Sequence, residues 1–215
     1  MGDPQARDST KKPSAATLGW AAGALAAGAL AAAAVAGFIL AKNGTIPESG
    51  ASAEGDRCGG RPVALANLER TRPAKPVPAE PFLEGDERPR TVADYRGRGL
   101  VVNFWATWCA PCVREMPALD RLEAALAGEG AGVLPVSADR GGAEIVRRFY
   151  ATNGVRNLPV LLDQEMRLAR KSGITGLPTT LLVDREGLEV ARVVGAAEWD
   201  APEAVAYLRR CLGGG

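Results

Sequence analysis

Two cysteines three positions apart, Cys109 and Cys112, lie in the stretch NFWATWCAPC (residues 103–112), directly after an apolar run and at the start of a segment with helical spacing. The first turn of a helix has free N–H groups and the positive end of the helix dipole, and both stabilise a thiolate. A lowered thiol pKa raises the fraction of the attacking species. Cys109 is therefore the expected nucleophile, with Cys112 in reach to resolve the mixed disulfide. Ala110 and Pro111 constrain the intervening loop, and Trp105 and Trp108 offer apolar surface to shield the pair from water. Two plainer readings compete, a static disulfide and half of a zinc site. A zinc site needs two more ligands, and the remaining thiols, Cys58 and Cys211, do not have the matching spacing. The placement between strand and helix favours redox chemistry.

Other residues are candidates for supporting roles. Glu115 is one helical turn beyond Cys112 and can exchange a proton with the thiols if burial raises its pKa. Its plainer role is to complement the dipole at the helix start. In GLPTTLLVD, Pro178 either begins a strand or forms a cis bond beside the site. In the second case the Leu177–Pro178 peptide group offers backbone hydrogen bonds to an extended substrate segment, flanked by Thr179. The chain has no histidine. This excludes His-containing metal sites, His-based triads and haem held by a histidine of this chain.

The elements that must position these residues follow an α/β pattern. Leu100–Trp105 is a buried strand, and residues 112–127 form a helix with Met116, Leu119, Leu122 and Leu126 on one face. Residues 133–138 are a strand that Pro135 assigns to an edge or an irregular position. A helix over 142–152, a strand over 159–163 and a short helix over 165–172 follow. Residues 179–184 and 188–195 are strands joined by a turn, and a last helix covers 200–212. Before the cysteines, residues 82–97 read as a small hairpin turning near Gly85–Asp86. Residues 73–82, with four prolines, cannot be a helix interior. Residues 61–72 read as a short helix. The expected fold class is α/β, a central mixed sheet flanked by helices on both faces.

At the N-terminus, Leu18–Ala41 is 24 residues without a charge. As a helix it spans about 36 Å, against roughly 30 Å of bilayer hydrocarbon. Arg7, Lys11 and Lys12 precede it, which places the rest of the chain outside the cytoplasm. We read residues 1–17 as a cytoplasmic tail, 18–41 as a transmembrane anchor, 42–72 as an extracytoplasmic tether and 73–215 as the catalytic domain. A cleaved signal peptide and an alanine-rich soluble helix are the alternatives. With 26 basic and 25 acidic residues the net charge is +1, and nothing points to nucleic acid.

Taken together, NFWATWCAPC, the following VREMPAL with Pro117, and GLPTTLLVD resemble the TlpA-type branch of membrane-anchored, thioredoxin-like proteins, over about residues 82–200. The resemblance implies a thioredoxin-like fold with an N-terminal extension and an inserted strand–helix unit at 155–172. It also implies a cis Pro178 facing the cysteines and a redox-tuning role for Glu115. Asn103 stands where cytoplasmic thioredoxins carry a buried aspartate, which shifts proton handling towards Glu115. No cofactor or metal is implied. The expected activity is protein-disulfide reduction at the bacterial inner membrane, with the catalytic domain in the periplasm. The expected electron donor is an integral-membrane thiol protein. Oxidised client proteins with cysteine pairs are the expected substrates, among them copper assembly factors and a cytochrome oxidase subunit. Reduction of cytochrome c maturation proteins, net disulfide donation and a non-catalytic adaptor role are the rivals. For Cys58 and Cys211 a structural disulfide is expected in an oxidising compartment, although Cys211 lies beyond the position usual for the family. Inter-chain pairing and free thiols are the alternatives.

Overall fold

Seven consecutive buried residues, GLVVNFW, form strand β4 (Gly99–Trp105) at the middle of an eight-stranded sheet. A run this apolar satisfies its backbone only with a strand on each side and a covered surface above and below. The structure is a computed structural model and describes residues 58–213. The apolar run 18–41 lies outside them; among the described residues no helix is long and apolar enough to cross a membrane.

In chain order the strands are β1 (Leu68–Pro76), β2 (Phe82–Glu84), β3 (Pro89–Arg90), β4, β5 (Ala131–Ser137), β6 (Leu161–Leu162), β7 (Thr179–Val183) and β8 (Leu188–Val194). The helices are α1 (Ala110–Leu126), α2 (Gly142–Asn153), α3 (Arg167–Lys171) and α4 (Pro202–Leu212). The sheet order is β1-β8-β7-β4-β5-β6-β2-β3. β4, β5 and β6 run parallel to one another, and the remaining pairs are antiparallel. This is the expected mixed sheet.

Side-chain alternation along β4 divides the core. Val101 and Trp105 join Met116, Leu119 and Leu122 of α1 and Leu208 of α4 on one face. Leu100, Val102 and Phe104 pack with Phe82, Leu168 and Ala169 on the other. The polar member of the first series, Asn103, thus faces α1.

Two readings of the sequence need correction. The helix expected over 61–72 is a 3₁₀ turn at Val63–Leu65 followed by β1, which pairs antiparallel with β8. Its reason is tertiary: β1 covers the open edge of β8, and Thr71 and Lys75 reach the buried carboxylate of Glu189 at 2.8 and 3.5 Å. Pro73 and Pro76 fit because β1 is an edge strand with a register shift between Arg70 and Lys75. Second, the β5 strand containing Pro135 is an interior strand. Its ladder to β4 runs unbroken through Pro135, while β6 pairs only with Val136 and Ser137. Pro135 therefore lies where the outer side of β5 is unpaired. Trp105 is fully buried and stacked on Tyr150 at 5.9 Å between ring centroids. It is a core residue, in one buried apolar cluster with Cys109 and Cys112.

Cys58 and Cys211 are joined in a disulfide. It sits at the end of the sheet where β4 begins, because Leu212 packs against Gly99 so closely that a side chain at Gly99 would overlap the Leu212 carbonyl. The bond closes a sequence separation of 153 residues. Replacing both cysteines by serine is expected to cost about 2–5 kcal/mol of stability. Chemical denaturation read by tryptophan fluorescence measures this, with C58S/C211S set against wild type.

Candidate active site

The last residues of β4 deliver the chain into the turn 106–109, and Cys109 is the N-cap of α1. Cys109 and Cys112 form a disulfide with a Cα separation of 5.2 Å. The Cys112 N–H points at the Cys109 sulfur from 3.4 Å. In the reduced protein the same N–H and the helix dipole favour the Cys109 thiolate. Cys109 is 7% exposed and Cys112 is fully buried. Only the first sulfur is therefore open to a substrate.

The turn is fixed by a carboxylate that sequence reasoning missed. Asp139, buried just after β5, accepts hydrogen bonds from the Thr107 N–H (2.9 Å), the Thr107 hydroxyl (2.7 Å) and the Ser137 hydroxyl (2.7 Å). The available signal was its position: β4 and β5 are parallel, so a polar residue just past β5 sits beside the loop leaving β4.

Behind the cystine lies Glu115, 3% exposed. Its Oε2 accepts from the Trp199 indole N–H at 2.8 Å and from the Ala197 N–H at 3.1 Å, and its Oε1 accepts from Asn103 Nδ2 at 3.0 Å. Asn103 Nδ2 also reaches the Thr180 hydroxyl at 2.9 Å, and its Oδ1 is buried without a partner among the described residues. Burial pushes the Glu115 carboxyl above its ordinary pKa, while the bonds from Trp199, Ala197 and Asn103 pull the other way. Trp199, Ala197 and Thr180 carry no local signal, since they come from the β8–α4 connection and from β7. The simple first-turn dipole role for Glu115 does not fit a side chain buried in this way.

The Leu177–Pro178 bond is cis. β7 runs antiparallel to β4, and Thr179 pairs with Phe104. Leu177, Pro178 and Thr179 are thus at the end of the sheet where β4 feeds the cysteines. Thr179 is buried, and its hydroxyl donates to the Gly176 carbonyl at 2.7 Å. Its side chain serves the turn, leaving half-buried Leu177 as the more accessible residue of the three. Ala110 is exposed, Pro111 half-buried, and Trp108 is 68% exposed. Trp108 projects outward and does not cover the cystine. Cys58 and Cys211 are bonded to each other at the far end of the sheet, so they cannot complete a four-thiolate metal site with Cys109 and Cys112.

A family model described as AhpC/TSA matches residues 73–190. The chain belongs to the AhpC/TSA family. Among relatives, a thiol-disulfide oxidoreductase ResA of Bacillus thuringiensis is 28% identical over 146 residues, covering 68% of this chain and 82% of the relative. The ResA of Geobacillus thermodenitrificans is 37% identical over 105 residues, 49% of this chain and 58% of its own. The thioredoxin domain of a thiol-disulfide oxidoreductase from Bacteroides vulgatus superposes with a TM-score of 0.51 at 26% identity, covering 59% of this chain and 91% of that one. This AhpC/TSA member thus has a thioredoxin-like α/β fold. Together with the access to one sulfur of a helix-capping cystine, the likeness makes it a thiol:disulfide oxidoreductase.

Two outcomes test the buried carboxylate. Because the folded pKa of Glu115 is raised, the folded state holds a proton that the unfolded state has lost. Stability therefore falls as pH rises from the unfolded glutamate value through the folded one. In Glu115→Gln that part of the pH dependence is expected to vanish, as read from denaturation midpoints across pH. Trp199→Phe removes one donor, which is expected to raise the Glu115 pKa further and to cost about 1.5–3 kcal/mol. Carboxyl titration followed by NMR and denaturation of the same variant measure both.

Proposed function

We propose that the protein is a membrane-anchored, extracytoplasmic reductase of protein disulfides. The observation that carries this reading is the Cys109–Cys112 cystine at the start of α1, with one accessible sulfur and the Glu115 carboxyl buried behind it. A dithiol donor first reduces the pair. The Cys109 thiolate then attacks one sulfur of a client disulfide, forming a mixed disulfide and releasing the first client thiolate. Cys112, deprotonated, attacks the Cys109 sulfur, closes the 109–112 bond and releases the second client thiolate. Two electrons pass to the client, and each released thiolate takes up a proton. Glu115 is placed to accept the Cys112 proton, and its raised pKa suits that exchange.

Glu115 and the cysteines act as the catalytic residues of this reading. Trp108, Ala110, Pro111, Leu177, Pro178 and Thr179 form its substrate-binding surface, and Cys58–Cys211 is its structural bond. The clients proposed are copper assembly factors and a cytochrome oxidase subunit, whose cysteine pairs must be reduced before copper is loaded. The support is the resemblance to the TlpA-type branch. The donor is an integral-membrane thiol protein, and residues 18–41 anchor the chain in the inner membrane with residues 42–215 in the periplasm.

The direction of electron flow is read from the reduction potential of Cys109–Cys112, equilibrated with glutathione in C58S/C211S. A value below about −200 mV is expected, and one near −120 mV, the oxidising end for this fold, overturns the reductase reading. Cys112→Ser is expected to accumulate mixed disulfides through Cys109 in cells. Copper-assembly proteins among the trapped partners support the client proposal, and cytochrome c maturation proteins in their place overturn it. Deleting residues 18–41 is expected to move the protein from the membrane to the soluble fraction.

A further inference from the structure

Among the described residues four large hydrophobic side chains stand exposed, and two of them, Trp108 and Ile145, line one hollow of about 570 Å³. Its wall is made by the loop after β5, the first turns of α2 and the segment leading into α3. Thr107 and Trp108 of its wall immediately precede Cys109, so the hollow lies one residue along the chain from the accessible cysteine. Half-buried Met166 adds a third apolar contact. A neighbouring hollow shares Thr107 and Ile145 and extends the apolar floor to Phe149.

The charges around the hollow are one-sided. Arg140 and Arg170 line it, both are exposed, and neither guanidinium pairs with a carboxylate among the described residues. The acidic residues present are already engaged. Asp139 is buried and occupied by Thr107 and Ser137, and Glu165 is held by Arg167 at 2.7 Å. A protein of net charge +1 therefore presents two guanidiniums, unpaired among the described residues, next to an exposed tryptophan at its redox centre. Guanidinium groups pair with carboxylates in a two-pronged geometry, and tryptophan and arginine are the residues that anchor protein contacts.

We propose that this hollow selects clients whose reactive cysteine lies in a segment carrying acidic side chains beside an apolar one. The apolar side chain seats among Trp108, Ile145 and Met166, and the carboxylates meet Arg140 and Arg170. Such a segment places its disulfide over Cys109. The inference rests on the thiol:disulfide exchange assigned to Cys109 and adds to it the chemistry of the client.

The test uses three disulfide-containing peptides of one length, identical except that the cysteines are flanked by glutamate, glutamine or lysine. The full chain, kept reduced by dithiothreitol, is assayed for kcat/KM on each. Turnover of any of the three peptides tests the exchange reading by itself, and no turnover of any of them overturns that reading and with it the selectivity that rests on it. With exchange present, the glutamate peptide is expected to be preferred over the lysine peptide by about ten-fold. That preference is expected to shrink as salt is raised, and R140E/R170E is expected to invert it. A glutamate-to-lysine ratio near one in wild type, or a ratio unaffected by salt, overturns the proposal. The salt series needs no variant, so poor folding of R140E/R170E does not shield the proposal. A wild-type preference that survives in the folded double variant overturns the assignment to these two arginines.

Discussion

A carboxylate buried with three N–H donors is the constraint around which the redox end of this protein is assembled. Glu115 is on α1, and its donors come from β4 and from the connection between β8 and α4. An ionised carboxylate in the interior without those bonds would be too costly to keep charged. Each donor segment is thereby obliged to lie within about 3 Å of the same group. That requirement locks the first turns of α1 to the sheet and to the C-terminal region. The helix N-terminus that caps at Cys109 is held in place by the same contacts that hold the Glu115 carboxyl.

The alternation of side chains along β4 makes the arrangement possible. If the strand shifted by a single residue, Asn103 would face α3, and Val102 or Phe104 would oppose Glu115. Seven ladder pairs to β5 and five to β7 hold the strand against that shift. The same ladders bring the end of β5, with Asp139, and the start of β7, with Pro178, to the end of β4 that leads to the cysteines. The active site is thus a meeting of strand ends, set by register.

The central α/β pattern was legible because its strands are apolar runs and α1 has a clean hydrophobic face. The helix expected over 112–127 and found at Ala110–Leu126, the hairpin near Gly85 and the closing β7–β8–α4 unit all follow from local signals. What was not legible depended on contacts distant in sequence. β1 has the composition of a linker and becomes a strand because the edge of β8 accepts it. Trp199 lies 84 positions from Glu115, and nothing in its neighbours announces that its indole N–H will serve that carboxylate. Trp105 and Trp108 illustrate the same limit. Both look alike beside the cysteines, yet the end of β4 buries one completely and the turn after it leaves the other in solvent.

The bond between Cys58 and Cys211 has a mechanical consequence. β1 is an edge strand, and an edge strand pulled from its end peels away one hydrogen bond at a time. Here any tension carried along the chain towards Cys58 passes through a covalent link into α4 before it reaches β1. The load then spreads over the buried face of α4 and the Leu212–Gly99 contact, and β1 is left slack. Under such a load the described domain would hang from its C-terminal helix, with the cysteine pair of α1 at the opposite end of the sheet, away from the strain.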